Sequence, residues 1–302
     1  MDVTPATSAQ TDEVAVERYE AMVRLATIDE QLAQLGEAGS VGFFPRLLGR
    51  EAALVGTVAG LSSDDWLFGS ATDWALPLLR GQAIESFAHR AFGTMKDVLR
   101  GRDVPSAVSA RSLRIASSSA PAATQLPHAV GLGWSARQRG DDLVSVALLD
   151  ASEVDAPDFH TGLNFAGVMK APTLFVCRVR PTEEGAAEHA IAYGIAAARA
   201  DGSDVDAVAS VIAEGVERAK AGQGATVIDL ELGEAEAAFE RARAALGAER
   251  AGAIRARTQS ELTTAFAAAT RTGPPDLRSL FDDVYGTHED HLAAQLDEAR
   301  GD

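Results

Sequence analysis

The stretch "DLVSVALLDASEVDAPDFHTGLNFAGVMKAPTLFVCRV", residues 142–179, decides the fold. Its ends, 142–150 and 172–179, are apolar runs of strand length, and 158–169 between them has helical spacing. A strand, a helix and a second strand in so short a span make a crossover between parallel neighbours. Strands this continuously apolar are buried on both faces, which calls for helices above and below the sheet.

The pattern extends in both directions. "DVDAVASVIAEGVERAKAG" (204–222) reads as a helix and "ATVIDLEL" (225–232) as a strand; the stretch between them and the 172–179 strand reads as helical. Upstream, "DDWLFGS" (64–70) is a short strand. Helices are expected from Thr11 to Gly39, over 50–61, around Trp74–Leu79 and Ile84–Phe92, and over "PAATQLPHAVGLGWSARQRG" (121–140). From Glu234 onward the chain is rich in Ala, Arg and Glu and reads as surface helices. The expectation is an α/β fold: a doubly wound parallel sheet with helical N- and C-terminal extensions, one domain over 13–302 after a disordered tail over 1–12. Ligands of such sheets bind beyond the carboxyl ends of the strands. That brings Leu149–Ser152, Arg178–Thr182 and the polar 94–120 loop around one crevice.

Composition narrows the partners. The net charge of −17 over 302 residues repels nucleic acid and anionic membrane surfaces. No run is apolar enough for long enough to span a bilayer, and the polar, acidic first twenty residues do not resemble an export signal, so the expected location is the cytoplasm. Cys177, the only cysteine, lies in an apolar strand and reads as an inert buried thiol. None of His89, His128, His160, His189, His288 and His291 has a partner at zinc-site spacing, and His160 reads as structural.

The joint after the first strand is the informative one. Strand-to-helix joints that hold phosphate use small residues and exposed N–H groups. This one carries Asp150, Glu153, Asp155 and Asp158. Acids at a helix N-terminus favour the helix dipole, which accounts for the last three without a ligand.

Six collinear segments carry a resemblance: "LLGREAALVGTVAGLSSDDWLF" (47–68), "SAPAATQLPHAVG" (119–131), "DFHTGLNFAG" (158–167), "PTLFVCR" (172–178), "AYGI…ADGSDVDAV" (192–208) and "LFDDVYGTHEDHLAAQ" (280–295). From about Tyr19 to Arg300 the chain resembles the alpha subunit of the decarboxylating component of 2-oxo acid dehydrogenase complexes, the branched-chain type most closely. The resemblance implies a thiamine diphosphate fold, with the coenzyme held through magnesium and a beta-type subunit completing an α2β2 assembly. The implied reaction is oxidative decarboxylation of a 2-oxo acid.

Matched position by position, the implied site is altered. Asp150 keeps the magnesium carboxylate, but Leu149 and Ala151 replace the flanking glycines, and the stretch to His160 is one residue longer than the family's. Val179 stands where an amide ligand belongs, and Arg180 follows it. Arg178 matches an arginine that contacts the diphosphate, and reads equally as a surface arginine paired with nearby acids. Ala71-Thr72-Asp73 replaces a Tyr-Arg pair, and Asp73 would repel a diphosphate. The helical run "GEAEAAFERARAALG" (233–247) replaces a loop that supplies a histidine.

The resemblance also places Ala122 against the aminopyrimidine ring, and Ser119, Pro121, Thr124 and Gln125 around a potassium ion. The residues by themselves read as a helix start capped by Thr124. The expectation is a catalytically degenerate subunit with a structural or regulatory role and no catalytic residue of its own. An active subunit with a divergent cofactor site, and a different ligand in the old crevice, are the alternatives.

Overall fold

A computed structural model describes residues 8–47, 49–118, 121–234, 236–282, 284–287 and 289–301; of 8–12, 15 and 237 it describes the backbone. Five strands run β1 (Trp66–Phe68), β2 (Ser145–Asp150), β3 (Thr173–Val179), β4 (Ala196–Asp201) and β5 (Thr226–Glu231). They form one sheet in the order β1-β2-β3-β5-β4, every pair parallel. In the register of β2 and β3, Asp150 stands opposite Arg178.

The helices in chain order begin with α1 (Ser8–Glu37), α2 (Glu51–Ala59), α3 (Leu76–Leu79), α4 (Ile84–Ala91), α5 (Gln125–Arg139) and α6 (Pro157–Met169). They continue with α7 (Ala187–Ala190), α8 (Val205–Lys220), α9 (Ala237–Leu246), α10 (Ala248–Thr272), α11 (Ser279–Asp282) and α12 (Asp290–Arg300). Because strand side chains alternate, the inner strands feed two cores. Val146, Leu148, Leu174 and Val176 pack with Leu54, Val208, Ile212 and Leu262. Ala147, Leu149, Phe175 and Cys177 pack with Leu126, Val130, Phe159 and Leu163 on the other face. Gly56 lets α2 lie against α8, since a Cβ there would stand 2.6 Å from the Val208 Cβ.

Three expectations are corrected. Residues 196–201 form an edge strand, not a helix: pairing with β5 overrides the helical propensity of "AAARAD". Helix α1 begins at Ser8, so residues 8–12 of the expected tail are helical, an added turn being cheap once a helix exists; residues 1–7 lie outside those described. The C-terminal region is not wholly superficial, because Ile254, Leu262 and Phe266 of α10 are buried in the core shared with α1 and α4.

Residues 114–116 of the expected loop lie along the free edge of β1, where Leu67 N–H donates to the Arg114 carbonyl (2.8 Å) and Ala116 N–H to the Leu67 carbonyl (2.9 Å). Among the described residues no helix is long and apolar enough to cross a membrane.

Candidate functional site

The carboxyl ends of β1, β2 and β3 converge on one polar cluster. Its centre is Arg178, the penultimate residue of β3, 1% exposed. Its Nε donates to Asp150 Oδ1 at 3.0 Å, and its Nη1 to Asp73 Oδ1. Nη2 donates to Thr72 Oγ1 at 3.2 Å and to Asp73 Oδ2 at 3.4 Å. A guanidinium has five N–H donors, so these four contacts leave one. Burial disfavours its charge, but Asp73 and Asp150 outweigh that and hold its pKa above the ordinary arginine value. The surface reading of Arg178 is thus corrected: it pairs with acids, inside the protein.

Asp73 is fully buried, in the turn that follows β1. Its Oδ2 also accepts from Ser70 N–H (2.7 Å) and Ser70 Oγ (3.0 Å). Asp150 is engaged through both oxygens: Oδ1 faces Arg178, while Oδ2 lies 3.3 Å from Arg50 Nη1 and accepts from Thr72 Oγ1 at 3.4 Å.

Sequence reasoning missed Arg50. It occupies the N-cap of α2, where the helix dipole disfavours a cation, and that is the signal that it has a particular partner. Burial, then the nearby Arg178 charge, lowers its pKa. Next to it the Glu51 carboxyl accepts from Gly49 N–H at 2.9 Å through Oε2, while its buried Oε1 has no hydrogen-bond partner; burial pushes its pKa up to about 7.

The acids of the joint do more than favour a helix dipole. Glu153 Oε1 accepts from Asp150 N–H (2.9 Å), and its Oε2 from Ala123 N–H (2.7 Å) and Gln125 Nε2 (3.1 Å), so it ties the 121–125 turn to the end of β2. Gln125 Nε2 also donates to the Leu148 carbonyl at 2.9 Å. Thr124 sits at the N-cap of α5 but makes no capping bond, since its hydroxyl donates to Asp158 Oδ2 at 2.9 Å. Pro121 and Ala122 are exposed in the same turn, and Ser119 lies outside the described residues.

Among the histidines, His160 Nδ1 meets the Tyr193 hydroxyl at 2.8 Å, with the His189 ring beside it. His128 is exposed, His89 bonds Thr94, His291 lies against Tyr285, and His288 lies outside the described residues. Burial pushes the Cys177 thiol up to about 12, which leaves it no nucleophilic thiolate near neutrality.

These residues do not fit a magnesium diphosphate. Asp150 faces two guanidinium groups, Val179 offers no side-chain oxygen, and Asp73 places a carboxylate beside the arginine that phosphate would need. No group of three potential metal ligands occurs among the described residues.

A model of the dehydrogenase E1 component family matches residues 19–232. The 2-oxoisovalerate dehydrogenase subunit alpha 1 of Arabidopsis thaliana mitochondria is 32% identical over 230 residues, covering 72% of this chain and 49% of the relative. The 2-oxoisovalerate dehydrogenase subunit alpha of Bacillus subtilis (strain 168) is 30% identical, covering 72% and 70%. This chain spans about half the length of several curated relatives it matches, 47–49% in three of them. Among solved structures, transketolase from Campylobacter jejuni superposes with a TM-score of 0.55 at 14% identity, over 90% of this chain and 48% of that one, a likeness of fold.

Proposed function

This chain belongs to the dehydrogenase E1 component family, among the alpha subunits of the branched-chain 2-oxo acid type, and from that premise we propose that it is a non-catalytic alpha-type subunit that pairs with a beta-type partner. The observation that carries this reading is the set of buried Arg178, Asp73 and Arg50 with partly buried Asp150, whose charges are spent on one another at the strand ends. An active subunit with a divergent site would use Asp150 and Arg178, the two matched positions that survive at the diphosphate. Their mutual pairing speaks against it.

An unpartnered apolar strip supports the pairing. Arg137 of α5 donates to the Met169 and Lys170 carbonyls at the end of α6 (2.9 and 3.0 Å), so these helix ends lie side by side. Within a turn or two of that contact Trp134, Phe165 and Val168 are exposed, Val168 by 76%. Exposed apolar groups gathered in this way mark protein contacts.

The test is co-expression with a beta-type subunit of the same family, followed by assay of the purified complex for bound thiamine diphosphate. A stable complex with no coenzyme in this chain's crevice is expected. No complex, or one carrying coenzyme there, contradicts the proposal.

A further inference from the structure

We infer that Asp73 is a built-in counter-anion, the residue that closes this crevice to phosphoryl groups. The inference rests on the non-catalytic reading above and names the residue responsible for it.

A guanidinium as deeply buried as that of Arg178 needs an anion, because an unpaired charge in the interior is strongly unfavourable. An external phosphate is one source of that anion, and a carboxylate supplied by the chain is another. Asp73 is the second kind. Its loop is shaped to present the carboxylate: Ser70 N–H and Oγ hold Oδ2 from one side while Arg178 takes both oxygens from the other. Gly69 gives the turn its closeness, since a Cβ there would stand 3.0 Å from the Asp73 Cβ. Four donors thus meet this one carboxylate, three at Oδ2 and one at Oδ1.

The two cations are balanced by carboxylates of the chain itself: Arg50 and Arg178 face Asp73 and Asp150, and Glu153, held by two backbone N–H groups and Gln125, adds a further negative charge. A phosphoryl dianion therefore meets no excess of positive charge, and four of the five Arg178 N–H donors are already taken. Remove the charge of Asp73 alone and the balance changes. Both Nη atoms of Arg178 lose their carboxylate, Arg50 stays alongside, and the Ser70 and Thr72 hydroxyls are on hand. That is a forked cationic site of the kind that binds phosphate.

The test uses inorganic pyrophosphate as probe, on the full chain, against chloride at equal ionic strength. The unaltered chain and Asp73→Asn are titrated, and thermal unfolding is followed in parallel. Asp73→Asn is expected to bind pyrophosphate at least about tenfold more tightly than the unaltered chain and to gain thermal stability from it. Asp73→Asn combined with Arg178→Met is expected to lose that gain.

A folded Asp73→Asn chain that binds no better than the unaltered one overturns the assignment to Asp73 and leaves the non-catalytic reading standing. Equal, measurable binding by the unaltered chain also overturns it. If Asp73→Asn does not fold in chloride, refolding in pyrophosphate replaces the titration: recovery supports the assignment, and failure to recover overturns it. Coenzyme binding by the unaltered chain would sink the underlying reading, and this inference with it.

Discussion

Arg178 and Asp73 lie on different strand ends, 105 positions apart, and meet as a two-pronged ion pair with side chains 1% and 0% exposed. A buried pair of this kind adds little over a well-packed apolar pair, yet breaking it from one side is costly. Asp73→Ala is expected to destabilise the chain by about 3–5 kcal/mol, because it leaves both Nη atoms of the buried Arg178 without their carboxylate. Joint replacement by Asp73→Leu and Arg178→Met is expected to cost less than Asp73→Ala alone. Urea unfolding of the three chains checks the order, and additive losses would contradict it.

Arg50 is a lesser member of the cluster. Without it Asp150 still has Arg178, and a desolvated cation with an unsatisfied Nη1 disappears. Arg50→Met is expected to change stability by less than about 1 kcal/mol. A loss as large as that of Asp73→Ala, in the same urea experiment, would contradict the ranking.

Glu51 makes the fold sensitive to pH. Its carboxyl is pushed up from 4.5 to about 7, chiefly by burial, so across that window the folded chain holds the proton more firmly than the unfolded one. Its contribution to stability is full below 4.5 and is lost as pH rises through about 7. Glu51→Gln, which keeps an acceptor for Gly49 N–H, is expected to flatten this dependence and to be the more stable chain at alkaline pH. Identical pH profiles for the two chains would contradict the assignment.

Cys177 is expected to resist alkylation in the native chain and to react once urea unfolds it, read by intact mass after iodoacetamide. Modification at native rates comparable to a free thiol would contradict its burial and raised pKa.

The α5–α6 strip offers a mutational test of pairing. Val168→Asp puts a charge on an exposed position without disturbing the core, so the chain is expected to keep its melting temperature and lose the beta-type partner on size exclusion. Retention of the complex would place the contact elsewhere.

What the sequence made legible follows from where each residue is buried. Strands β2, β3 and β5 show as apolar runs because both faces are covered. Strand β4 did not: at the sheet edge its residues alternate between exposed and half-buried, and alanine carries no strand signature. Asp150 and Arg178 were legible as single positions. Their partners were not, because Arg50, Asp73 and Arg178 meet only once three strand ends and a helix start converge. For the same reason Asp73 read as a charge that would repel phosphate, when its charge is already taken by Arg178. Thr124 read as a cap by local rules, and Asp158, brought close by the packing of α5 on α6, took its hydroxyl instead.

The most direct test of the closed crevice is calorimetric titration of the chain, alone and in complex with a beta-type partner, with thiamine diphosphate and magnesium. The ion-pair cluster predicts no heat of binding at micromolar coenzyme in either case. Micromolar binding in either case would contradict it.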